Sequence, residues 1–500
     1  MNFSCAKCSN PLELQYFNGG CFLDFFDIKY MIMDEILKNA GDRGGFVKND
    51  EYLLEGSVLK GLVIFALPFL LAILLQAFYG AVDLWVVGKY ATSAEVSAVA
   101  TGSQAMNVIT QAIVGLTTGS TVLIGQYFGA KKPDDISKTI GSAIKIFVII
   151  AVALTAIMVL SVDKVVVGMN APAEALSGTR DYMFICFCGI IFIVGYNVVS
   201  SFFRGFGDSK TPLLFVFIAC MVNIVVDIAF VKGLGMGAAG AAYATVLAQA
   251  ISFICSVVYL KKKGFPYEVA KGSVKFDKDK FRRIMRIGVP VAIQNGLVSL
   301  SFLFIMMIVN NQGVIASASV GVVEKIILFM FIPVIALSSS VSVMTAQNVG
   351  ANQPERADRG LKYGILISFI FGALMCLLSW TKGETITGIF GRADIAYTAS
   401  LYLKSCSIDC MLVAFIFCMN GYFGGCGRSL FAMIHSLIAT FGVRIPITVA
   451  VSRMTDVTLF HTGLAAPIST LASLIMCIIY IIILKRNRKK QYEKINDNYS

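Results

Sequence analysis

Long apolar segments recur along the whole chain, and they limit it to one class of fold. A segment of about 20 apolar residues is long enough to cross the hydrocarbon layer of a bilayer as a helix. Because a backbone in lipid must satisfy its own hydrogen bonds, the pattern predicts an all-α membrane protein. We count twelve such segments, at about 60–88, 97–125, 139–161, 180–203, 212–231, 238–260, 287–310, 316–346, 361–380, 396–423, 429–452 and 462–484.

Composition and charge agree with a membrane protein that crosses the bilayer many times. The chain has 57% hydrophobic and 14% charged residues, which excludes a water-soluble globule with a polar skin. If both termini are cytoplasmic, the inner loops and tail from Lys131 onward carry 25 Lys and Arg, and the outer loops carry seven. This is the positive-inside bias, so the net charge of +12 indicates topology rather than a nucleic-acid partner. We therefore expect a multi-pass protein of the cell inner (plasma) membrane with both termini in the cytoplasm.

The first 50 residues contain no spanning segment and lack the features of a secretory signal peptide. We interpret residues 1–50 as an N-terminal extension that is disordered or in part not translated. Cys5, Cys8 and Cys21 form a CxxC motif plus one cysteine, but the only two histidines lie in the second half of the chain. We therefore predict no bound metal here and no cofactor.

The two halves of the chain repeat each other. GQYFGAKKPDD (125–135) returns as AQNVGANQPER (346–356), FRGFGDS (203–209) returns as FGGCGRS (423–429), and Leu67-Pro68 returns as Val289-Pro290, at offsets of 221, 220 and 222. Six helices per half is an even number, so both halves enter the membrane in the same orientation. They are therefore predicted to be related by a pseudo-two-fold axis along the membrane normal.

This repeat predicts a domain organisation of two six-helix lobes. The lobes are expected at residues 51–260 and 287–485, joined by a basic cytoplasmic linker (261–286) and followed by a basic tail (486–500). Two lobes beside a central cleft are typical of alternating-access transporters, although the repeat alone also fits a duplicated channel. Gly129 and Gly350 are predicted to end long helices, with the glycine in the left-handed conformation.

Two acids in the first half lie deep in predicted helices. A charged side chain there costs roughly 2.5–3.5 kcal/mol on insertion, so Asp83 and Asp227 are treated as functional until explained. Asn223 and Asp227 are spaced i, i+4 and share one helix face. They offer an amide oxygen and a carboxylate to one point.

Further polar residues of the first half extend this site. Tyr79 and Gln76 precede Asp83 by one and two turns, while Asn197 and Thr245 lie on the fourth and sixth predicted helices. Asp83, Asn197, Asn223, Asp227 and Thr245 would form an oxygen-rich pocket suited to a proton or to Na⁺. We assign Gln76 and Tyr79 to substrate binding.

The repeat provides an internal control for this assignment. A residue needed only for packing in a duplicated fold should be matched in both halves, whereas a cation site built in one half should not. Four of the polar positions are apolar in the second half: Asp83 maps near Ile305, Asn197 near Phe417, Asn223 near Val443 and Asp227 near Ile447.

The second half has its own membrane-embedded charges. Glu324 is followed by Lys325, and Asp409 has Lys404 nearby in sequence, so pairing with these neighbours is the simpler interpretation. Arg444 lies toward the outer half of its helix and is expected to reach the headgroups. The sequence assigns no role to Glu324, Asp409 or Arg444.

The chain resembles the multidrug and toxin extrusion (MATE) family over roughly residues 51–485. The resemblance rests on Pro68 followed by YGAVDLWVVG, on the paired GQYFGA and AQNVGA motifs, on NVVSSFFRGFGDSKTP (197–212) and on MVNIVVDIAFVKGLGMGAAGAA (221–242). The family implies two six-helix lobes and export of cationic, often aromatic compounds against inward movement of H⁺ or Na⁺.

The DinF-like prokaryotic branch of that family implies a cation site in the amino-terminal lobe. By motif position its ligands fall on Asp83, Asn197, Asn223, Asp227 and Thr245. Ser200 occupies a place where that branch often has asparagine, so we include Ser200 among the cation-binding positions. The seventh predicted helix has no acid, which argues against the carboxy-lobe site of other branches.

These observations predict a secondary active transporter that exports cationic or amphipathic small molecules by antiport with H⁺ or Na⁺. It is expected to be a monomer that contacts lipid. A flippase for lipid-linked saccharides is the first alternative, and it would need basic residues in the cleft, for which only Arg444 and Lys325 qualify. An ion channel is the second. The sequence shows no cluster of a nucleophile with a base, so nothing in it suggests an enzyme.

Overall fold

The computed structural model describes residues 50–169, 172–263, 276–310, 313–389, 393–454 and 458–497. Residues 1–49 of the predicted extension, with its three cysteines, and residues 264–275 of the predicted linker lie outside these ranges. Within the described ranges the chain is helical and contains no strand.

The first half contains eight α-helices. A short 3₁₀ turn (Asp50–Leu53) precedes them, and a π-helical segment (Ile228–Gly233) lies between the last two. The helices are α1 (Val58–Tyr90), α2 (Ser93–Gly129), α3 (Pro133–Leu160), α4 (Val162–Gly168), α5 (Leu176–Cys188), α6 (Ile190–Phe206), α7 (Lys210–Asp227) and α8 (Gly237–Lys263).

The second half also contains eight α-helices. A π-helical segment (Thr440–Arg444) interrupts the eleventh membrane span of the chain. The helices are α9 (Lys278–Asn310), α10 (Val314–Gly350), α11 (Pro354–Gly388), α12 (Ala393–Gly425), α13 (Ser429–Ala439), α14 (Ile445–Ser452), α15 (Leu459–Gly463) and α16 (Ala465–Asp497).

The number of membrane spans confirms the sequence prediction. Eleven helices in the described ranges are long and apolar enough to cross a bilayer, and a twelfth span is formed by α5 and α6 together. The sequence predicted one continuous helix at 180–203, but α5 and α6 meet at a 45° bend. The bend lies at Gly189, where a Cβ atom would stand 2.5 Å from Cγ2 of Val246. The fourth span therefore bends where α8 comes closest to it.

Each half packs mainly on itself, and three helix pairs make the most extensive contacts between the halves. Within the first half α2 packs on α6, and α7 packs on α1 and α8; within the second half α12 packs on α10 and α11. Between the halves α1 packs on α10, α9 packs on α2, and α2 packs on α10. The pseudo-two-fold axis exchanges the first two of these pairs, because α1 corresponds to α9 and α10 to α2. It maps the third pair onto itself. The contacts therefore follow the predicted pseudo-two-fold symmetry.

Two matching hydrogen bonds cross between the halves near the ends of α2 and α10. The side-chain amide of Gln126 donates to the carbonyl of Gly425 at 2.9 Å, and that of Gln347 donates to the carbonyl of Gly205 at 3.0 Å. These donors and acceptors are the repeat partners identified in the sequence. Each half therefore contacts the other through an equivalent hydrogen bond.

Gly129 and Gly350 are needed for close approach rather than for the predicted left-handed cap. The left-handed residues are Lys131 (φ 55°) and Asn352 (φ 56°), two positions later. A Cβ atom on Gly129 would stand 1.9 Å from the carbonyl oxygen of Gln347, and one on Gly350 would stand equally close to that of Gln126. Only glycine lets these backbones touch, so this part of the cap prediction is wrong.

Charged residues reinforce the contact at the same end of the bundle. The Arg356 guanidinium donates to the carbonyls of Leu53, Glu55 and Gly56, which precede α1. Asp135 is the repeat partner of Arg356 and makes the equivalent contact. It forms an ion pair with Lys280 at the start of α9, which is the first helix of the second half. We call the end of the bundle at which Gly129 and Gly350 meet the closed end.

The start of α9 is fixed at the closed end by three contacts. Lys280 binds Asp135 at 2.6 Å and the Tyr127 hydroxyl at 2.7 Å. The backbone N–H of Asp277 donates to the Ser142 hydroxyl at 2.9 Å. The backbone N–H of Lys280 donates to the Asp277 carboxylate and holds the pKa of Asp277 below its usual range. The second half is thereby tied to α2 and α3 of the first.

Substitution of the contact glycines should weaken the closed end. Gly129→Ala and Gly350→Ala place a methyl group against backbone of the other half, which cannot move as a flexible side chain does, so each is expected to cost about 1–3 kcal/mol. Gly296→Ala, on α9, is the matched control because no atom lies within 4 Å of its Cβ position. Thermal unfolding of the purified protein in detergent measures the difference, and equal melting temperatures for all three variants would contradict the packing.

Candidate functional site

The first acid of the site lies on α1 and faces α8. Asp83 is 5% exposed, and its Oδ2 accepts a hydrogen bond from the Thr245 hydroxyl at 3.3 Å. Its Oδ1 has no hydrogen-bond partner among the described residues. Small residues of α8, including Ala241, Ala242 and Ala244, are fully buried and allow this helix to approach closely. Both residues belong to the set of cation-binding positions predicted from the sequence.

The second acid ends α7. Asn223 is 1% exposed and Asp227 is 0% exposed, and the i, i+4 spacing places both on one face of α7 as predicted. The side-chain oxygens and nitrogen of these two residues make no hydrogen bond within the described part of the chain. A buried polar group without a partner costs free energy, so these atoms are poised for a ligand.

The π-helical segment begins directly after Asp227. Its wider turn is marked by the bond from the Leu234 N–H to the Ala229 carbonyl, five residues back, at 3.1 Å. Single π-helical turns inside α-helices occur frequently at functional sites. Asp227 therefore lies at a change of helix type that the sequence did not predict.

Asp83 and Asp227 face each other inside the first half. The Asp83 carboxyl is within interaction distance of the side chains of Asp227, Asn223 and Thr245. Two negative charges this close repel each other in a medium of low dielectric constant, and no basic side chain of the described residues bonds to either carboxyl. The pair can hold one proton between them, or a small hard cation held by carboxylate, amide and hydroxyl oxygens.

Asn197 and Ser200 are buried on α6 but are not joined to the acids. The Asn197 amide donates to the Ile193 carbonyl of its own helix at 2.8 Å. The Ser200 hydroxyl is 2% exposed and has no hydrogen-bond partner in the described ranges. No hydrogen bond within those ranges links either residue to Asp83 or Asp227. Four of the six predicted cation-binding residues are therefore in mutual interaction, namely Asp83, Asn223, Asp227 and Thr245.

Tyr79 and Gln76 differ in their surroundings. Tyr79 lies one turn from Asp83 on α1 and interacts with both Asp83 and Gln249. Gln249 follows Thr245 by one turn on α8, so the two helices face each other through two successive polar pairs. The sequence analysis missed Gln249, although its i, i+4 spacing from Thr245 was a usable signal. The Gln76 side chain is exposed.

The second half contains a different set of charges. Asp409 interacts with Thr470 and with the charge of Arg444, and Glu324 also lies near Arg444. The Arg444 guanidinium lies over the ring of Phe302 at 4.7 Å. Arg444 therefore places one positive charge near both acids. The expected pairing of Asp409 with Lys404 is not formed, since no ion pair joins them among the described residues.

Metal ligands of the transition-metal type do not cluster in the part of the chain that the structure covers. No group of three or more His, Cys, Asp or Glu side chains there is arranged to hold a metal ion. The polar atoms of the carboxyl pair and its neighbours are all oxygen donors apart from one amide nitrogen.

The profile of one known protein family matches each half of the chain separately. The MatE family profile covers residues 68–229 and again 290–450. The two matches begin at Pro68 and Pro290, which are repeat partners. They confirm that the chain contains two copies of one structural unit.

Relatives of known name are similar over most of their length. The chain is 27% identical over 428 residues to the probable multidrug resistance protein YoeA of Bacillus subtilis, covering 84% of this chain and 92% of that protein. It is 25% identical over 396 residues to the probable multidrug resistance protein NorM of Thermotoga maritima, covering 78% and 85%.

Solved structures share the fold. A multidrug resistance MATE family transporter in an outward-facing conformation superposes with a TM-score of 0.82 at 21% identity, covering 89% of this chain and 99% of that one. A transporter of the MOP superfamily from Pyrococcus furiosus superposes equally well at 20% identity, covering 88% and 99%. With twelve membrane spans in two related halves and a family match over more than half of its residues, the chain belongs to the MatE family of multidrug and toxin extrusion transporters.

Proposed function

We propose that this transporter exports small amphipathic molecules, cationic ones among them, by antiport with H⁺ or Na⁺ bound between Asp83 and Asp227. One observation carries the proposal. Two carboxyl groups face each other at membrane depth in the first half, and the described residues place no countercharge on them. A passing cation supplies that countercharge, which explains why two acids are tolerated there.

The cation and the exported molecule compete through the conformation of the bundle. A cation entering from outside neutralises the pair, and the site loses its attraction for a positively charged molecule. A ligand shifts the equilibrium between two states only by the difference in its affinities for them. The carboxyl pair provides such a difference, because its charge depends on whether the cation is bound.

The packing of the halves fits one end state of alternating access. The hydrogen bonds that join the halves in the described ranges lie between the closed end and the level of Gln111. We propose that the closed end is cytoplasmic, since Lys131, Lys132 and Lys280 lie there, and that the cleft opens to the outside. On this basis we propose a location in the plasma membrane with both termini in the cytoplasm.

The division into lobes follows from the same arrangement. We assign the amino-terminal lobe to residues 51–260 and the carboxy-terminal lobe to 287–485, with 261–286 as linker and 486–500 as tail. Helix pairs between the lobes are few and lie at one end, which suits a rocking motion. We propose that the monomer is the working unit.

The two alternative functions are less well supported. A saccharide-lipid flippase needs several free basic groups in the cleft, and only one of the two candidates, Lys325, is exposed, since Arg444 lies near Glu324 and Asp409. A channel needs a continuous path, whereas backbone contacts at Gly129 and Gly350 block the closed end. A coupled exporter is therefore the function that fits the site best.

Removing either acid of the pair should uncouple transport. Asp227→Asn and Asp83→Asn each remove the charge that the cation neutralises while conserving side-chain size. Each is expected to lower ethidium-dependent dissipation of an imposed cation gradient in proteoliposomes by tenfold or more, an effect of about 1.4 kcal/mol. The measurement uses a pH-sensitive or Na⁺-sensitive dye inside the vesicles.

Asp409→Asn is the matched control, because it alters a buried acid of the other half. It is expected to retain coupling, since Asp409 is neutralised by Arg444 rather than by a mobile cation. Size-exclusion profiles and melting temperatures establish that all three variants are folded. Coupled transport by folded Asp83→Asn and Asp227→Asn proteins would rule out the carboxyl pair as the coupling site.

Protons alone are expected to drive export. Two facing carboxyl groups can share one proton without further ligands, whereas Na⁺ requires about five or six oxygens in a fixed cage. Export of ethidium should therefore dissipate a pH gradient in buffers free of Na⁺. Dissipation of an imposed Na⁺ gradient at constant pH, without any proton movement, would instead establish Na⁺ as the coupling ion.

A further inference from the structure

Three carboxamide side chains project from one face of α2 in the interior of the membrane. Gln104, Asn107 and Gln111 follow each other at i, i+3 and i+7, and all three are exposed. Gln111 is the middle residue of the 37 in α2. A lipid tail cannot satisfy an amide, so an exposed amide at this depth must face an aqueous cavity or a ligand. We call these three residues the amide row.

The direction of this face is established by its continuation toward the closed end. Gly115 and Gly119 follow Gln111 at i+4 and i+8. A Cβ atom on Gly115 would stand 2.6 Å from Cα of Ala292, and one on Gly119 would stand 2.2 Å from the carbonyl oxygen of Ile284. The same face therefore touches α9 of the second half at one end and becomes exposed at the other. The amide row lines the cleft between the halves rather than the lipid.

The floor of the cleft lies where the exposed part of this face ends. The side-chain amide of Asn295 on α9 donates to the backbone carbonyl of Gln111 at 3.2 Å. Asn295 lies one turn beyond Ala292, where the two backbones make their close contact. An amide from the second half thus joins the amide row at the floor of the cleft.

The opposite wall carries a positive charge and apolar groups. At the offset of 221 between α2 and α10, Lys325 corresponds to Gln104 and Leu328 to Asn107. Both side chains are exposed. The neighbouring Glu324 interacts with the charges of both Arg444 and Lys325, but no ion pair joins it to Lys325 among the described residues. These two walls therefore present amides, one ammonium group and apolar surface, without a carboxylate at the five positions named.

We propose that the amide row and Asn295 form a substrate-binding surface for amphipathic molecules that carry uncharged hydrogen-bonding groups such as carbonyls, hydroxyls and amides. The inference rests on the proposed export function and adds a substrate class to it. A carboxamide both donates and accepts, so one row of amides fits many arrangements of such groups. A positive charge on the substrate gains nothing from this surface and is disfavoured by Lys325. Uncharged molecules are therefore recognised in the cleft, apart from the carboxyl pair.

The test uses the full-length protein in proteoliposomes with two probes, uncharged chloramphenicol and cationic ethidium. Gln104→Leu and Gln111→Leu remove one side-chain hydrogen bond each and should raise the half-saturating chloramphenicol concentration about tenfold. They should leave the half-saturating ethidium concentration nearly unchanged. Lys325→Gln should lower the half-saturating concentration of ethidium and leave that of chloramphenicol unchanged.

Ser103→Ala is the matched control on the same helix, because its hydroxyl donates to the Ala100 carbonyl of α2 at 3.1 Å. It should transport both probes like the wild type. Should Gln111→Leu fail to fold, Asn107→Leu tests the same surface one turn away. Unchanged half-saturation for chloramphenicol in the folded amide variants, or an equal rise for both probes, would overturn the inference.

Failure of the proposed function would give a different result. If the wild type moves neither probe when a pH or Na⁺ gradient is imposed, the coupled export mechanism is wrong. If the wild type exports both probes and Asp227→Asn abolishes coupling, the export mechanism stands and the amide variants alone decide the binding surface.

Discussion

Backbone contact between the halves at the closed end is the constraint on which the other features depend. Gly129 and Gly350 bring the ends of α2 and α10 within van der Waals distance of carbonyl groups on the opposite half. In lipid, helices gain little from apolar burial against each other, so small residues that allow such approach carry much of the association. The contact lies at one end of long helices, and the face of α2 that makes contact there becomes exposed from Gln111 toward the start of the helix. A cleft that opens on one side is the geometric result.

The two halves have nearly the same fold but carry different charged side chains. The glutamine bonds of the closed end are duplicated, as are the left-handed residues that follow α2 and α10. The carboxyl pair has no counterpart at Ile305 and Ile447, and the second half instead holds Arg444 beside its own acids. A buried charge needs a partner, and the two halves meet this need differently. The second half carries a fixed positive charge near its acids, whereas the described residues place none on the acids of the first half.

Sequence reasoning reached the fold and the centre of the site because both leave periodic signals. Apolar length predicts the spans, the offset of the repeat predicts the symmetry, and i, i+4 spacing predicts that Asn223 and Asp227 share a face. The bend at Gly189 and the π-helical turn after Asp227 were missed, because each arises from packing against other helices rather than from local preference. Asn197 and Ser200 illustrate the same limit. Their burial was predictable, but their hydrogen-bond partners depend on how α6 is rotated, which no spacing within α6 reveals.

Helix α1 is the element through which the carboxyl pair can act on the closed end. Near its start, the carbonyl of Leu62 accepts a hydrogen bond from the Ser340 hydroxyl of the second half at 2.9 Å, and Asp83 lies 21 residues further along. At 1.5 Å per residue the two points are about 31 Å apart on one helix. On the proposed mechanism a cation held between Asp83 and Asp227 would draw α1 toward α7, and the same helix meets α10 at its other end. Coupling requires an element whose position both sites bias, and α1 is in contact with each of them.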